Sequence, residues 1–211
     1  MTDIINLRKS NFLKANYKKL INEISLIHFH NLPNSFYTIS GIKFVEFFYE
    51  LLLISKKTNI LIAKEDDKAI SGFVIWAPIN FSLIHTLIEN LFNFELSNFL
   101  ELLRLFNFDV FKRIFYKLKT FHIRKKIPVN SSQIISIVVD KKYIRKGIGK
   151  QLIKEVIDEC FYQDFDFLIA TTTSYQKNAI KFYKYLIDFN LIYENKLSSG
   201  YVEYTFSRSL K

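Results

Sequence analysis

The sequence predicts a single α/β or α+β domain, and three observations carry that expectation. Its 211 residues are 49% apolar and 17% aromatic, enough to build one sizeable core without requiring a second. Apolar residues recur alternately at strand and helix spacing, in the order β, α, α, β, β over the first third and β, α, β, α followed by a hairpin after Pro128. No internal repeat and no flexible linker interrupts this order.

The elements follow from local chemistry. Asp3 to Arg8 reads as a first strand, and Ser10 as the N-cap of a helix starting near Asn11, where Phe12, Leu13, Leu20, Ile21, Ile24 and Ile27 mark one buried side. Leu32-Pro33-Asn34-Ser35 ends that pattern, and Gly41 precedes a second helix, IKFVEFFYELLLISK. Strands follow at Ile60 to Ala63 and Ala69 to Ala77, joined by a charged turn at Glu65 to Lys68. Residues 81–121, rich in Leu and Phe and free of Gly and Pro, read as a helical insertion between the third and fourth strands. Beyond Pro128 the pattern predicts a strand at Gln133 to Val139, a helix from about Gly147 to Cys160, and a strand at Phe165 to Thr171. A helix from Gln176 to Leu186 and strands near Leu191 to Glu194 and Tyr201 to Phe206 complete the chain.

Composition bounds the function classes. Thirty Lys and Arg against twenty Asp and Glu give a formal charge of +10, which attracts nucleic acid, an anionic membrane face or a phosphorylated small molecule. With Cys160 as the sole cysteine, an internal disulfide framework and a cysteine zinc cluster are excluded. The N-terminal segment lacks a secretory signal pattern, and no uncharged apolar run reaches the roughly 20 residues of a membrane span. These features predict a cytoplasmic protein. The segment FKRIFYKLKTFHIRKK is both basic and amphipathic, so it suits either peripheral contact with an anionic membrane or ordinary packing with its lysines in solvent.

The segment VDKKYIRKGIGK, Val139 to Lys150, holds five cations and two glycines between a β-branched strand and a helix. The free N–H groups of a helix's first turn, reinforced by its positive end, capture phosphate oxygens. Gly147 and Gly149 leave room for a phosphate and free the backbone, while Arg145, Lys146 and Lys150 add charge. The spacing matches neither a P-loop nor a three-glycine dinucleotide fingerprint, and a purely structural helix cap can use the same Gly-x-Gly.

Together with its flanks, IISIVVDKKYIRKGIGKQLIKEVI resembles the acetyl-CoA signature of the GNAT superfamily of N-acetyltransferases, a strand leading into an Arg/Gln-x-x-Gly-x-Gly/Ala loop. Downstream, SYQKNAIKFYKYLIDFNLIYE resembles that superfamily's second motif, with Ala179 and Tyr183 matching and Phe182 as the aromatic preceding the tyrosine. The segments HFHNLPNSFYTISGIKFVEFFYELLL and NILIAKEDDKAISGFVIW look like the opening of a bacterial subgroup, some members of which belong to surface-polysaccharide gene sets. There are departures: Ile144 stands at the loop's Arg/Gln position, Gln176 where Asn is common, and LIDF, with an extra residue, replaces the expected Gly-Phe.

The resemblance implies a twisted mixed sheet flanked by helices, and direct transfer of acetyl from acetyl-CoA to a primary amine. It places the cofactor against Ile137, Val138 and Val139 on the strand and against Ile144, Arg145, Lys146, Gly147, Ile148, Gly149 and Lys150 in the loop. Thr171, Gln176, Ala179 and Tyr183 complete the set, with the strand ending at Thr171 splaying away to open a slot. Tyr183 is implied as donor to the departing thiolate. Gln133 and Ser136 stand near the position where relatives carry a glutamate base, and neither is a conventional base; the subgroup resemblance favours His28 over His30 for that role.

His85 and His122 show no metal-ligand spacing, Glu65, Asp66 and Asp67 read as a charged turn, and no metal is expected. Cys160 lies on the apolar phase of its helix. The expected acceptor is a small-molecule primary amine, such as an amino sugar attached to a nucleotide. A protein or peptide amine is the close alternative, and a nonenzymatic nucleic-acid or membrane-surface module is a distant one, since no nucleic-acid motif is present. Monomer and homodimer are equally open.

Overall fold

The computed structural model describes residues 2–8, 12–65, 69–90, 127–197 and 200–211. The described residues separate into two compact units: a sheet unit drawn from 1–10, 59–79 and 128–211, and a helical unit drawn from 11–58 and 80–127.

The sheet unit is one seven-stranded mixed sheet in the order β1-β2-β3-β4-β5-β7-β6. Its strands are β1 (Thr2–Asn6), β2 (Asn59–Glu65), β3 (Ile70–Pro78), β4 (Ser131–Val139), β5 (Phe167–Thr173), β6 (Asn190–Lys196) and β7 (Val202–Ser209). Every neighbouring pair is antiparallel except β4 with β5. That parallel pair is joined by the helix Ile148–Tyr162, as a parallel connection requires.

That helix repeats Ile148, Leu152, Val156 and Cys160 at four-residue intervals, with Ile153 beside them, and all five are buried. This stripe packs with Val74 and Trp76 of β3, Leu168 and Ala170 of β5, and Phe189 and Phe206 into one apolar cluster. Gly72 of β3 lets the helix start lie close to the sheet, since a Cβ there would stand 3.0 Å from the Val138 carbonyl and 3.3 Å from both the Ile148 and Val139 side chains.

In the helical unit, α1 (Phe12–Asn31), α2 (Phe36–Ile39), α3 (Ile42–Ile54) and α4 (Leu83–Asn90) are described. Leu20, Ile21, Ile24 and Ile27 of α1 are buried as their spacing predicts, and so are Phe44, Val45, Phe48, Tyr49 and Leu51 to Leu53 of α3. The break at Leu32 to Ser35 is a turn closed by the Ser35 N–H on the Leu32 carbonyl at 3.0 Å. Most of the helical insertion expected over 81–121, and all of the basic amphipathic segment, lie outside the described residues, as do Ser10, Asp66, Asp67 and His122. The remaining helices of the sheet unit, in chain order, are α5 (Ile148–Tyr162) and α6 (Lys177–Lys181), the latter running into a π-helical turn at Phe182–Leu186.

Candidate active site

The site grows from a defect in β4. Ile75 of β3 pairs with Ser136 and the next residue, Trp76, pairs with Ile134, so Ile135 is an extra residue bulged out of the ladder. Bulges bend a strand and end its pairing. Accordingly β4 and β5 pair only from Ser131 with Phe167 to Ile134 with Ala170. Beyond that point Gly72 to Val74 of β3 continue to pair with Val139 to Ile137 of β4, while Thr171 to Thr173 of β5 pair with β7 alone. The two parallel strands therefore diverge, leaving a gap lined by main chain in the middle of the sheet. Ile137 and Val139 pack their side chains toward the apolar cluster; their peptide edge on the β5 side lies along the gap.

At the end of β4 the chain turns through a 3-10 turn at Lys141–Tyr143, capped by Asp140, whose Oδ1 accepts the Lys142 N–H at 2.9 Å. Arg145 takes a left-handed backbone at φ 67°, and Gly147 follows at φ 80°. Gly147 is the N-cap of α5, no side chain caps the helix there, and a Cβ at Gly147 would meet nothing within 4 Å. An uncapped helix start facing open space, with Arg145 and Lys150 exposed around it, has the donor geometry and charge that a diphosphate requires. Gly149 serves a different end: a Cβ there would touch the Phe182 ring at 3.4 Å and Val139 at 3.6 Å, so the small residue keeps α5, β4 and the π-helical turn together.

Lys146 does not stand free beside that helix start. Its Nζ donates to Glu65 Oε2 at 2.6 Å and lies 5.1 Å from the Tyr143 ring centroid. The hydrogen bond from Lys146 holds the Glu65 carboxyl below its usual range. Ile144, at the loop position where the motif carries Arg or Gln, is 59% exposed.

Tyr183 lies in the π-helical turn, 4% exposed, its ring stacked on Phe206 at 5.7 Å and tilted against Phe189 at 5.6 Å. Among the described residues its hydroxyl has no hydrogen-bond partner. Burial pushes its ionisation well above the ordinary phenol value, so at neutral pH it persists as O–H. Gln176 accepts a hydrogen bond from the Thr172 hydroxyl at 2.6 Å, tying the start of α6 to the diverging end of β5. Ala179 is packed at the edge of the same cluster.

The model of the Acetyltransferase (GNAT) family matches residues 26–186. The chain belongs to the GNAT acetyltransferase family. No curated protein sequence matches it significantly. Among solved structures the fold is similar to a candidate GNAT acetyltransferase of Desulfovibrio desulfuricans, 12% identical with a TM-score of 0.61 over 100% of both chains. It is similar also to an N-acetyltransferase of Staphylococcus aureus Mu50, 14% identical, TM-score 0.59, over 100% of this chain and 99% of that one. The ribosomal-protein-S18-alanine N-acetyltransferase of Escherichia coli shares the fold at 12% identity, TM-score 0.58, over 100% of this chain and 95% of that one. The seven-stranded mixed α/β architecture is therefore that of GNAT acyltransferases.

In this GNAT chain His28 sits in the helical unit, 3% exposed. Its Nδ1 lies 2.5 Å from the Tyr49 hydroxyl and its Nε2 2.8 Å from Ser35 Oγ. Ser35 Oγ also accepts the Thr38 N–H and donates to Thr38 Oγ1. One consistent arrangement gives Nε2 the proton and leaves Nδ1 to accept from Tyr49. To take a proton from an amine the ring would have to surrender one of these bonds. Cys160 is fully buried and its thiol is pushed up to about 12 by desolvation, which removes it as a nucleophile at neutral pH.

Two features of this GNAT site escaped the sequence. The bulge at Ile135 has no glycine or proline to announce it. Gly72 did carry a signal, since an isolated glycine inside a strand pattern marks a close backbone approach.

Proposed function

We propose that the chain is an acetyl-CoA-dependent N-acetyltransferase that moves acetyl directly to a primary amine. The supporting observation is the divergence of β4 and β5 after Ile134 and Ala170, beside an uncapped α5 start and the Tyr183 side chain buried on Phe206. In this reading the α5 amides, with Arg145 and Lys150, hold the diphosphate of the cosubstrate, and the exposed edge of β4 at Ile137 and Val139 pairs with its amides. Acetyl-CoA supplies an activated thioester. Holding it beside the amine removes an entropic barrier of the kind worth roughly 7 to 11 kcal/mol.

The amine nitrogen attacks the thioester carbonyl, the C–S bond breaks, and the sulfur leaves with negative charge. Tyr183 donates a hydrogen bond to that sulfur. Complete transfer of its proton would leave a buried phenolate, which the same burial opposes. The proton shed by the amine is assigned to solvent, because both ring nitrogens of His28 are engaged.

We infer that residues 1–211 act as one catalytic domain, with 81–121 as an insertion. The family match from 26 to 186 runs through segments of both units. The acceptor we propose is a small-molecule amine, such as the amino sugar of a nucleotide sugar, whose phosphates suit the excess of cations. The proposed compartment is the cytoplasm. Among the described residues no helix is long and apolar enough to cross a membrane.

The test is a CoA-release screen over amino sugars, nucleotide-linked amino sugars, polyamines and peptides, with mass detection of the product. A gain of one acetyl group on an amino sugar nucleotide supports the reading; acetylation of peptides alone replaces the acceptor. Absence of CoA binding, with salt-sensitive binding to RNA or anionic vesicles, rejects the enzyme.

A further inference from the structure

We propose that Arg208 is a positioning residue for the transfer step, acting through the turn that carries Tyr183; this rests on Tyr183 being the donor to the leaving sulfur. The helix α6 does not end in the usual way. At Phe182–Leu186 it widens to a π-helical turn, and the Phe189 N–H closes onto the Tyr183 carbonyl at 2.9 Å. Just before that closure Asp188 takes the left-handed conformation, φ 57°. A common helix ending has a left-handed glycine and a closure one residue shorter. Here the extra residue in LIDF is absorbed by the wider turn, so that Tyr183 and Phe189 both remain in the apolar cluster.

A π-helical turn is rare and occurs mostly as a single turn, frequently at functional sites, and here a contact from outside helps to hold its shape. Strand β7 supplies that contact. Arg208 Nη1 donates to the Ile187 carbonyl at 2.6 Å, a charge-assisted bond at a helix C-terminus where a cation also suits the dipole. Two residues earlier on the same face, Phe206 lies under the Tyr183 ring. Because β7 is paired on both sides, with β5 and β6, it is a rigid base for both contacts. Loss of the Arg208 bond frees the carbonyl end of the turn, and any rotation of that turn displaces the hydroxyl at the far end of the Tyr183 ring.

The experiment is a double-mutant cycle of Arg208→Met and Tyr183→Phe, with Arg208→Lys as the conservative variant. CoA release is followed with the best amine from the screen above, or with water as acceptor. Arg208→Met is expected to lower kcat about tenfold with KM for acetyl-CoA unchanged, Arg208→Lys to recover most of that loss, and Arg208→Met to change nothing further in the Tyr183→Phe background. An equal loss in both backgrounds, with Tyr183→Phe itself slow, overturns this inference and leaves the donor in place. A Tyr183→Phe enzyme at the parent rate overturns the donor reading and this one with it. Should Arg208→Met fail to fold, amide exchange at Phe189 in Arg208→Gln decides: acceleration there and not in α5 supports the anchor, and unchanged exchange overturns it.

Discussion

Two glycines with matched φ angles separate phosphate capture from simple strain. Gly147 and Gly200 have φ of 80° and 82°, and a Cβ at either meets nothing within 4 Å. Alanine at each therefore bears the same penalty, the left-handed backbone, worth about 1 to 2 kcal/mol, or a loss of roughly 2 to 8 °C in Tm. Only at Gly147 does the new methyl stand at the mouth of an uncapped helix start. If it displaces the diphosphate from one charge-assisted N–H bond, the loss is about 1.5 to 3 kcal/mol, a rise of about 10- to 150-fold in Kd. Titration calorimetry with CoA reads this, alongside thermal melts of both variants. Gly147→Ala should lose affinity by that factor and Gly200→Ala should not, with equal shifts in Tm. Affinity within twofold of the parent for Gly147→Ala, or an equal loss for Gly200→Ala, refutes capture at α5.

Three further outcomes are expected. Tyr183→Phe should lower kcat about 10- to 150-fold, the worth of one hydrogen bond to a charged group, with KM for acetyl-CoA unchanged in steady-state kinetics. Because burial raises the Tyr183 ionisation above its ordinary 10.0, the phenol contributes stability that is intact below that value and falls as pH rises past it; Tyr183→Phe should lose this alkaline decline in denaturant melts. Glu65→Gln releases Lys146 and should tighten CoA binding two- to threefold at low salt, a gain that disappears at about 0.5 M salt. Stability should shift little, since an exposed pair contributes little. The Glu65 carboxyl is held low by Lys146, so this pairing persists through neutral pH and fades as pH falls through that lowered value. His28→Ala should lose about 2 to 4 kcal/mol in urea melts through two buried hydrogen bonds left open, with kcat within threefold of the parent; a loss of the acid limb of the rate profile would instead restore it as the base.

Local physics made much of this molecule readable from residue order. Periodicity located each described strand and the long helices, because a half-buried face repeats every two or 3.6 residues whatever it packs against. Gly147 marked the helix start since a left-handed residue there favours glycine, and the four-residue spacing of Ala179 and Tyr183 carried the second motif. Tertiary structure decided what depends on partners distant in the chain. The bulge at Ile135 exists only as a mismatch with β3, and it is this bulge that parts β4 from β5. Lys146 looked available for phosphate until Glu65, 81 residues away, was seen to hold it. Residue type alone shows His28 as an imidazole, and only the fold shows Tyr49 and Ser35 on its two nitrogens. A side chain's type and spacing are local properties, whereas its protonation, exposure and freedom to react belong to the neighbours that folding brings to it.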